Sequence, residues 1–305
     1  MPQIYLHIGL HKTGTTAIQS VLFNNAAAIA RQGIHLSCAG IPPAAPLGHH
    51  ELAWAHSRKP DLMAKWDDLA QEITSTAAGR LIITSEEFCV LGAESIARIG
   101  DFFARFGGAR IVVYLRNQVD LGESLYRTDV LHYSVKAQIG QYLQRTRTRL
   151  DYQALLDDWT AAFGKDNVTV RLYEKSDLTD GVLSDFCRIV GLDAAGLEIP
   201  PNDINHGLSF DAIVPIQKMR QYGLDKTAVD RFIMWAYRHN EGRFTCLSKS
   251  EAAAFMKSFE ASNRAVARQF FDRDTLFHEF AERSEEPLIP VEVMASTLAR
   301  VFGKS

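Results

Sequence analysis

The chain has 305 residues, enough to bury a large core as one domain, and its 33 lysines and arginines against 36 acidic residues leave a formal net charge of −3. That balance offers no basic field for nucleic acid, and no apolar run approaches the ~20 residues of a membrane span, so neither partner is expected. The N-terminus runs straight into the first predicted strand with no room for a signal peptide, and Cys38, Cys89, Cys187 and Cys246 are scattered without metal spacing; they read as reduced thiols in a cytoplasmic protein.

The run 4–8 has the length and composition of a buried strand. A turn bounded by Gly9 and Gly14 follows, then a helical pattern that carries Ile18, Val21, Leu22 and Ile29 on one face and stops at Gly33. Strand, glycine loop and helix N-terminus together form an anion site, because first-turn N–H groups and the positive end of the helix dipole converge on one point. Gly9 and Gly14 have the spacing of the nucleotide-hydrolase loop G-x-x-x-x-G-K-[ST], but Thr15 stands where its lysine would be. The lysine is Lys12, inside the loop, with Thr13, Thr15 and Thr16 as extra hydroxyls. This suits a 5′-phosphate that carries one further transferable group and needs no metal. The alternative is the phosphate loop of a small-molecule kinase, which places a hydroxyl-bound magnesium on a triphosphate.

Residues 33–36 form a short strand, and the Pro/Gly/Ala-rich stretch 37–60 is a long loop of the functional or mobile kind. His49 and His50 close it, before a helix over 51–55, either as solvated loop histidines or as contacts to an acceptor. A helix over 61–76 turns Leu62, Trp66, Leu69 and Ile73 to the core. The strand 80–84 runs into Ser85-Glu86-Glu87-Phe88. Ends of parallel strands hold the chemistry of open α/β sheets, so Glu86 and Glu87 are general-base candidates, one of which merely charges the next turn. Glu86 is preferred as the closer to the strand end.

A helix over 95–106 and the strand 110–115 follow. The strand ends in Arg116, and Ser124 lies two turns into the next helix; both can face a second anion, unless Arg116 simply pairs with Asp120. Arg127, His132, Lys136, Arg145, Arg147 and Arg149 make 127–150 basic, with Arg145 and Arg149 on one helical face. That stretch is a solvated face or a greeting for an anionic or carbohydrate acceptor. A helix over 152–163, a strand over 167–173 ending in Tyr173-Glu174, and a helix over 178–190 complete the alternation. A turn-rich link at 200–207 leads to helices over 210–222, 227–239, 250–271 and 290–302. The fold class is α/β, a central mostly parallel sheet flanked by helices in a nucleotide-binding architecture. It is expected as one domain, 1–305, with a core at 1–200 and a helical C-terminal part at 201–305 packed on it.

Three of these motifs together resemble the bacterial sulfotransferases that use 3′-phosphoadenosine 5′-phosphosulfate (PAPS). His11-Lys-Thr-Gly-Thr-Thr16 resembles the 5′-phosphosulfate loop of that family, whose lysine precedes the glycine. Arg116-Asn-Gln-Val-Asp-Leu-Gly-Glu-Ser124 resembles its 3′-phosphate motif. Leu172-Tyr173-Glu174 resembles the strand end whose tyrosine lies near the adenine, and Thr84-Ser85-Glu86 falls where the family carries its base, a glutamate in several glycan branches. The resemblance implies sulfuryl transfer from PAPS, without a metal, to a hydroxyl or amine of a small-molecule or glycan acceptor. It implies catalytic Glu86 and Lys12, with His11, Lys12, Thr13, Gly14, Thr15, Thr16, Arg116, Ser124 and Tyr173 on the co-substrate. Two departures stand out: Ala17 replaces an aromatic residue of the small-molecule branch, and the C-terminal basic loop on the 3′-phosphate is missing. A non-catalytic nucleotide-binding relative is the remaining alternative.

Overall fold

The computed structural model describes residues 1–44, 46–199, 207–240, 242–278, 281–286, 288, 292–294 and 297. In chain order the elements are β1 (Gln3–His7), α1 (Thr15–Asn24), α2 (Ala26–Arg31), β2 (Ile34–Leu36), α3 (His50–Ala55), α4 (Ala64–Ser75), β3 (Arg80–Thr84), α5 (Ala93–Ala104) and β4 (Arg110–Leu115). They continue with α6 (Gln118–His132), α7 (Ile139–Thr146), α8 (Tyr152–Phe163), β5 (Val168–Leu172), α9 (Gly181–Val190), α10 (Phe210–Gln221), α11 (Lys226–Arg238), α12 (Lys249–Lys257) and α13 (Glu260–Phe271). No helix among the described residues is long and apolar enough to cross a membrane.

The chain forms two compact units: Met1–Arg116, Tyr152–Pro201 and Arg264–Phe277 make the first, and Asn117–Asp151, Asn202–Asn263 and His278–Ser305 the second. Residues 117–151 and 264–277 thus fall on opposite sides from those a division at residue 200 would give them. The link at 200–207 and the last predicted helix, 290–302, lie for the most part outside the described residues.

The first unit is built on a five-stranded sheet of order β2-β3-β1-β4-β5, and every pair in it is parallel. Parallel strands connected by helices are covered on both faces, which is why 80–84 and 110–115 read as continuous apolar runs. One buried cluster joins Tyr5, Ile82, Val112 and Tyr114 of the sheet to Ile18 and Leu22 of α1, Ile29 of α2 and Phe186 of α9. Trp66, Phe103 and Trp159 are buried as well, from α4, α5 and α8. Asp185 is buried and matched: Arg171 grips it from Nε at 2.9 Å and Nη2 at 2.6 Å, and the Tyr114 hydroxyl donates to it at 3.0 Å. The single helix expected after the loop is two, because the Asn25 amide turns back to the Val21 carbonyl (2.8 Å) and donates equally to the Glu198 carbonyl (2.8 Å).

The second unit is helical. Glu123 of α6, almost fully buried, accepts the backbone N–H groups of Cys246 and Leu247 (2.8 and 2.9 Å) and Arg283 Nη1 (3.0 Å). Arg283 also holds Asp120, so Asp120 is engaged by an arginine other than Arg116. α7 stops at Thr146 and a 3₁₀ turn follows, so Arg145 and Arg149 do not share a helix. Arg147 donates to the Ser258 carbonyl at 3.0 Å and covers the Phe259 ring. The predicted helix 250–271 is divided into α12 and α13, and α12 opens with a capping box between Ser248 and Glu251.

Candidate active site

Everything in the first unit's site follows from β1 standing between β3 and β4. The pairing continues past the end of β1, since Ile8 N–H donates to the Val112 carbonyl (3.0 Å) and Leu10 N–H to that of Tyr114 (3.2 Å). The chain then turns back on itself. Thr13 and Thr15 hydroxyls both donate to the Leu10 carbonyl, at 2.7 and 2.9 Å, so here these two side chains brace the loop from inside. Lys12 takes a left-handed φ of +63°, and Gly14 sits in the same region at +81° as the residue before α1. Non-glycine residues held there cost on the order of 1 kcal/mol or more, a strain typical of ligand-gripping loops. Gly14 is also required by close packing: a Cβ would come 2.7 Å from Val182 Cγ1 and 3.3 Å from Tyr173 Cε2. Lys12 and Thr16 are exposed at the lip, while Thr13 and Thr15 are buried.

Arg116 directly follows β4 and reaches this loop. Its Nη1 donates to the Lys12 carbonyl at 3.0 Å, and its guanidinium lies 5.8 Å from the centre of the Tyr173 ring. The Tyr152 hydroxyl donates to the Arg116 carbonyl and fixes the strand end. The loop, Arg116 and Tyr173, named from three distant stretches of sequence, are therefore neighbours. Ser124 lies on α6 in the second unit and is nearly buried.

The two carboxylates after β3 have different partners. Ser85 caps the turn over Glu86–Val90 by accepting the Glu87 N–H. Glu87 is matched by Arg58 (Nη2, 3.0 Å) and by His11 (Nε2, 3.6 Å). Burial pushes the Glu87 carboxyl up, but His11 and Arg58 outweigh it and hold it at about 2. Burial likewise opposes charge on His11, yet Cys89, with Sγ at 3.4 Å from Nδ1, then Glu87 and Glu86, raise it to about 10. These neighbours favour the protonated form of His11, whose ring lies between Cys89 and Glu87. Glu86 has a neutral partner instead: the Gln19 amide donates to its Oε2 at 3.0 Å. Glu87 thus has two basic partners, whereas the hydrogen-bond partner of Glu86 is a neutral amide.

The histidines of the long loop are not solvated. His49 is fully buried, with Nδ1 against the Thr84 backbone and Nε2 2.7 Å from the Ser37 carbonyl, and burial lowers its pKa; it braces the end of β3. His50 is half-buried, stacks on Trp54 and places Nδ1 2.7 Å from Ser85 Oγ. His7 is buried under the loop with Nδ1 2.9 Å from Thr84 Oγ1, and burial pushes it down to about 3, so it stays neutral.

Gln19, Arg58, Cys89 and Tyr152 belong to this site without having been legible as such. For Gln19 a signal existed: it is a polar residue inside the apolar stripe of Ile18, Val21 and Leu22. The others depend on contacts across the fold.

No family model matches the chain. It is similar to an uncharacterized protein of Archaeoglobus fulgidus, 24% identical over 236 residues, which is 73% of this chain and 64% of that protein. The chain thus spans less than two thirds of the length of this curated relative. Among solved structures it is similar to a sulfotransferase from Alicyclobacillus acidocaldarius, at 17% identity and a TM-score of 0.42, over 76% of this chain and 99% of that one.

Proposed function

We propose that the chain is a PAPS-dependent sulfotransferase that moves a sulfuryl group to a hydroxyl or amine of a small-molecule acceptor, with carbohydrates the first class to screen. The observation that carries this reading is the 3.0 Å bond from Arg116 to the Lys12 carbonyl. It joins the loop suited to a 5′-phosphosulfate with the arginine suited to a 3′-phosphate, and a nucleotide bearing both groups fits that pairing. Tyr173, beside both, is the ring for the adenine. Ser124 is assigned to the 3′-phosphate from the Arg116–Ser124 sequence motif.

In this mechanism Glu86 takes the acceptor proton as the acceptor atom bonds to sulfur in line with the departing phosphate oxygen. The bond from sulfur to that oxygen breaks and its electron pair stays on the phosphate. Lys12, the His11 imidazolium and the N–H groups at the start of α1 stabilise that growing negative charge. Thr13 and Thr15 preserve the loop shape from within, and the exposed Thr16 offers its hydroxyl to the ligand. Two protein cations and a helix terminus meet the charge of a single leaving phosphate, so no metal is assigned a role.

Labelled PAPS offered with a panel of sugars, phenols and amines tests this. Transfer to at least one acceptor, lost on the order of 10²–10⁴-fold in Glu86→Gln with nucleotide binding retained, is the expected result. Loss in Glu87→Gln with Glu86→Gln unaffected would assign the base one residue later.

A further inference from the structure

Gln19 sits one helical turn after Thr15 on α1, with its side chain nearly fully buried. Its Nε2 donates to Glu86 Oε2 at 3.0 Å. This links the helix that ends the phosphate loop to the carboxylate at the end of β3, elements 67 residues apart. The amide is itself confined from the other side. A Cβ on Gly48, whose φ is +87°, would lie 2.7 Å from Gln19 Nε2 and 2.8 Å from the His50 ring. The close of the long loop therefore covers the amide and leaves it little room.

Resting on the sulfotransferase reading, we infer that Gln19 is the positioning residue for the base: it holds Oε2 of Glu86 and thereby turns Oε1 toward the acceptor. A neutral donor suits this task. A cation in its place would hold the proton-accepting carboxylate as Arg58 and His11 hold Glu87, and an apolar residue would leave the carboxylate to rotate. The same contact orients the acceptor's proton path relative to the loop, since Gln19 and the phosphate-binding turn ride on one helix.

The test uses Gln19→Met, which keeps length and volume, Gln19→Glu, and each combined with Glu86→Gln. For Gln19→Met the expected result is a kcat lower by about 10–100-fold with KM for PAPS and affinity for adenosine 3′,5′-bisphosphate within twofold. In the Glu86→Gln background the same change should cost no further activity, because the residue acts through that carboxylate. Gln19→Glu places two carboxylates at hydrogen-bond distance that share one proton, so its activity should appear only at higher pH than in the parent. A Gln19→Met protein with full kcat overturns the inference, as does one that loses bisphosphate affinity in step with kcat, or one whose defect multiplies with that of Glu86→Gln. A wild-type protein without turnover on any acceptor overturns the sulfotransferase reading itself, a distinct result from intact wild-type turnover that Gln19→Met does not reduce.

Discussion

Gly9 and Glu86 touch: a Cβ built on Gly9 would stand 3.1 Å from both Cα and Cβ of Glu86. Gly9 also has a φ of +103°, a conformation that other residues adopt only with strain. The Gly9–Gly14 turn and the proposed base therefore meet closely, and a glycine is what allows the approach. Gly9→Ala should cost about 1–3 kcal/mol in stability by chemical denaturation and displace Glu86, so that kcat falls further than the loss of folded protein explains.

Arg116→Ala removes a charge-assisted donor from the site. Affinity for adenosine 3′,5′-bisphosphate should drop by about 1.5–3 kcal/mol, roughly 10–100-fold, by calorimetry. Adenosine 5′-phosphate, which has no 3′-phosphate, should lose less, only what the loop loses with the Arg116 bond to the Lys12 carbonyl. Arg116→Lys should recover little, since one ammonium cannot hold both the Lys12 carbonyl and a phosphate in a planar fork. Equal bisphosphate affinity in wild type and Arg116→Ala would remove the 3′-phosphate role.

The ion pair of His11 with Glu87 should leave a signature in stability against pH. Glu87 titrates near 2 in the folded chain against 4.5 ordinarily, so its contribution is present above 4.5 and fades as pH falls toward 2. His11 is raised to about 10 from 6.5 by Cys89 first and by Glu87 and Glu86 after it, so the part of its contribution owed to Glu87 is present below 6.5 and fades as pH rises above it. The stability difference between wild type and Glu87→Gln, on the order of 1 kcal/mol for a partly exposed pair, should be greatest between pH 4.5 and 6.5 and shrink on either side. A difference that does not shrink below pH 4.5 or above pH 6.5 would mean the pair is not formed.

Gly48→Ala offers a route to the base without touching it. The added methyl meets the Gln19 amide at 2.7 Å and the His50 ring at 2.8 Å, and a φ of +87° strains any side chain there, so stability by chemical denaturation is measured beside kcat. Its kcat should fall as in Gln19→Met while bisphosphate affinity holds, measured by steady-state kinetics and calorimetry together.

The alternation of strands and helices was legible because buried parallel strands are apolar throughout and their loops carry glycine. So was the turn from Gly9 to Gly14 into α1, whose glycine spacing and helix onset are local features. Helix breaks at Asn25 and after α12 were not, since the Asn25 turn depends on the Glu198 carbonyl, far away in sequence. The different partners of Glu86 and Glu87 were also hidden, because Gln19, Arg58 and His11 arrive from other stretches of the chain. His49 read as a loop histidine and is instead a buried brace on β3, with Ser37 and Thr84 supplying its hydrogen bonds.

Titration of the wild-type protein with adenosine 3′,5′-bisphosphate, and separately with ATP and magnesium, bears most directly on the proposed nucleotide site. Tight binding of the bisphosphate without a divalent ion, and little binding of ATP with magnesium, is the predicted outcome. Binding of ATP that requires magnesium, together with indifference to the bisphosphate, would contradict it.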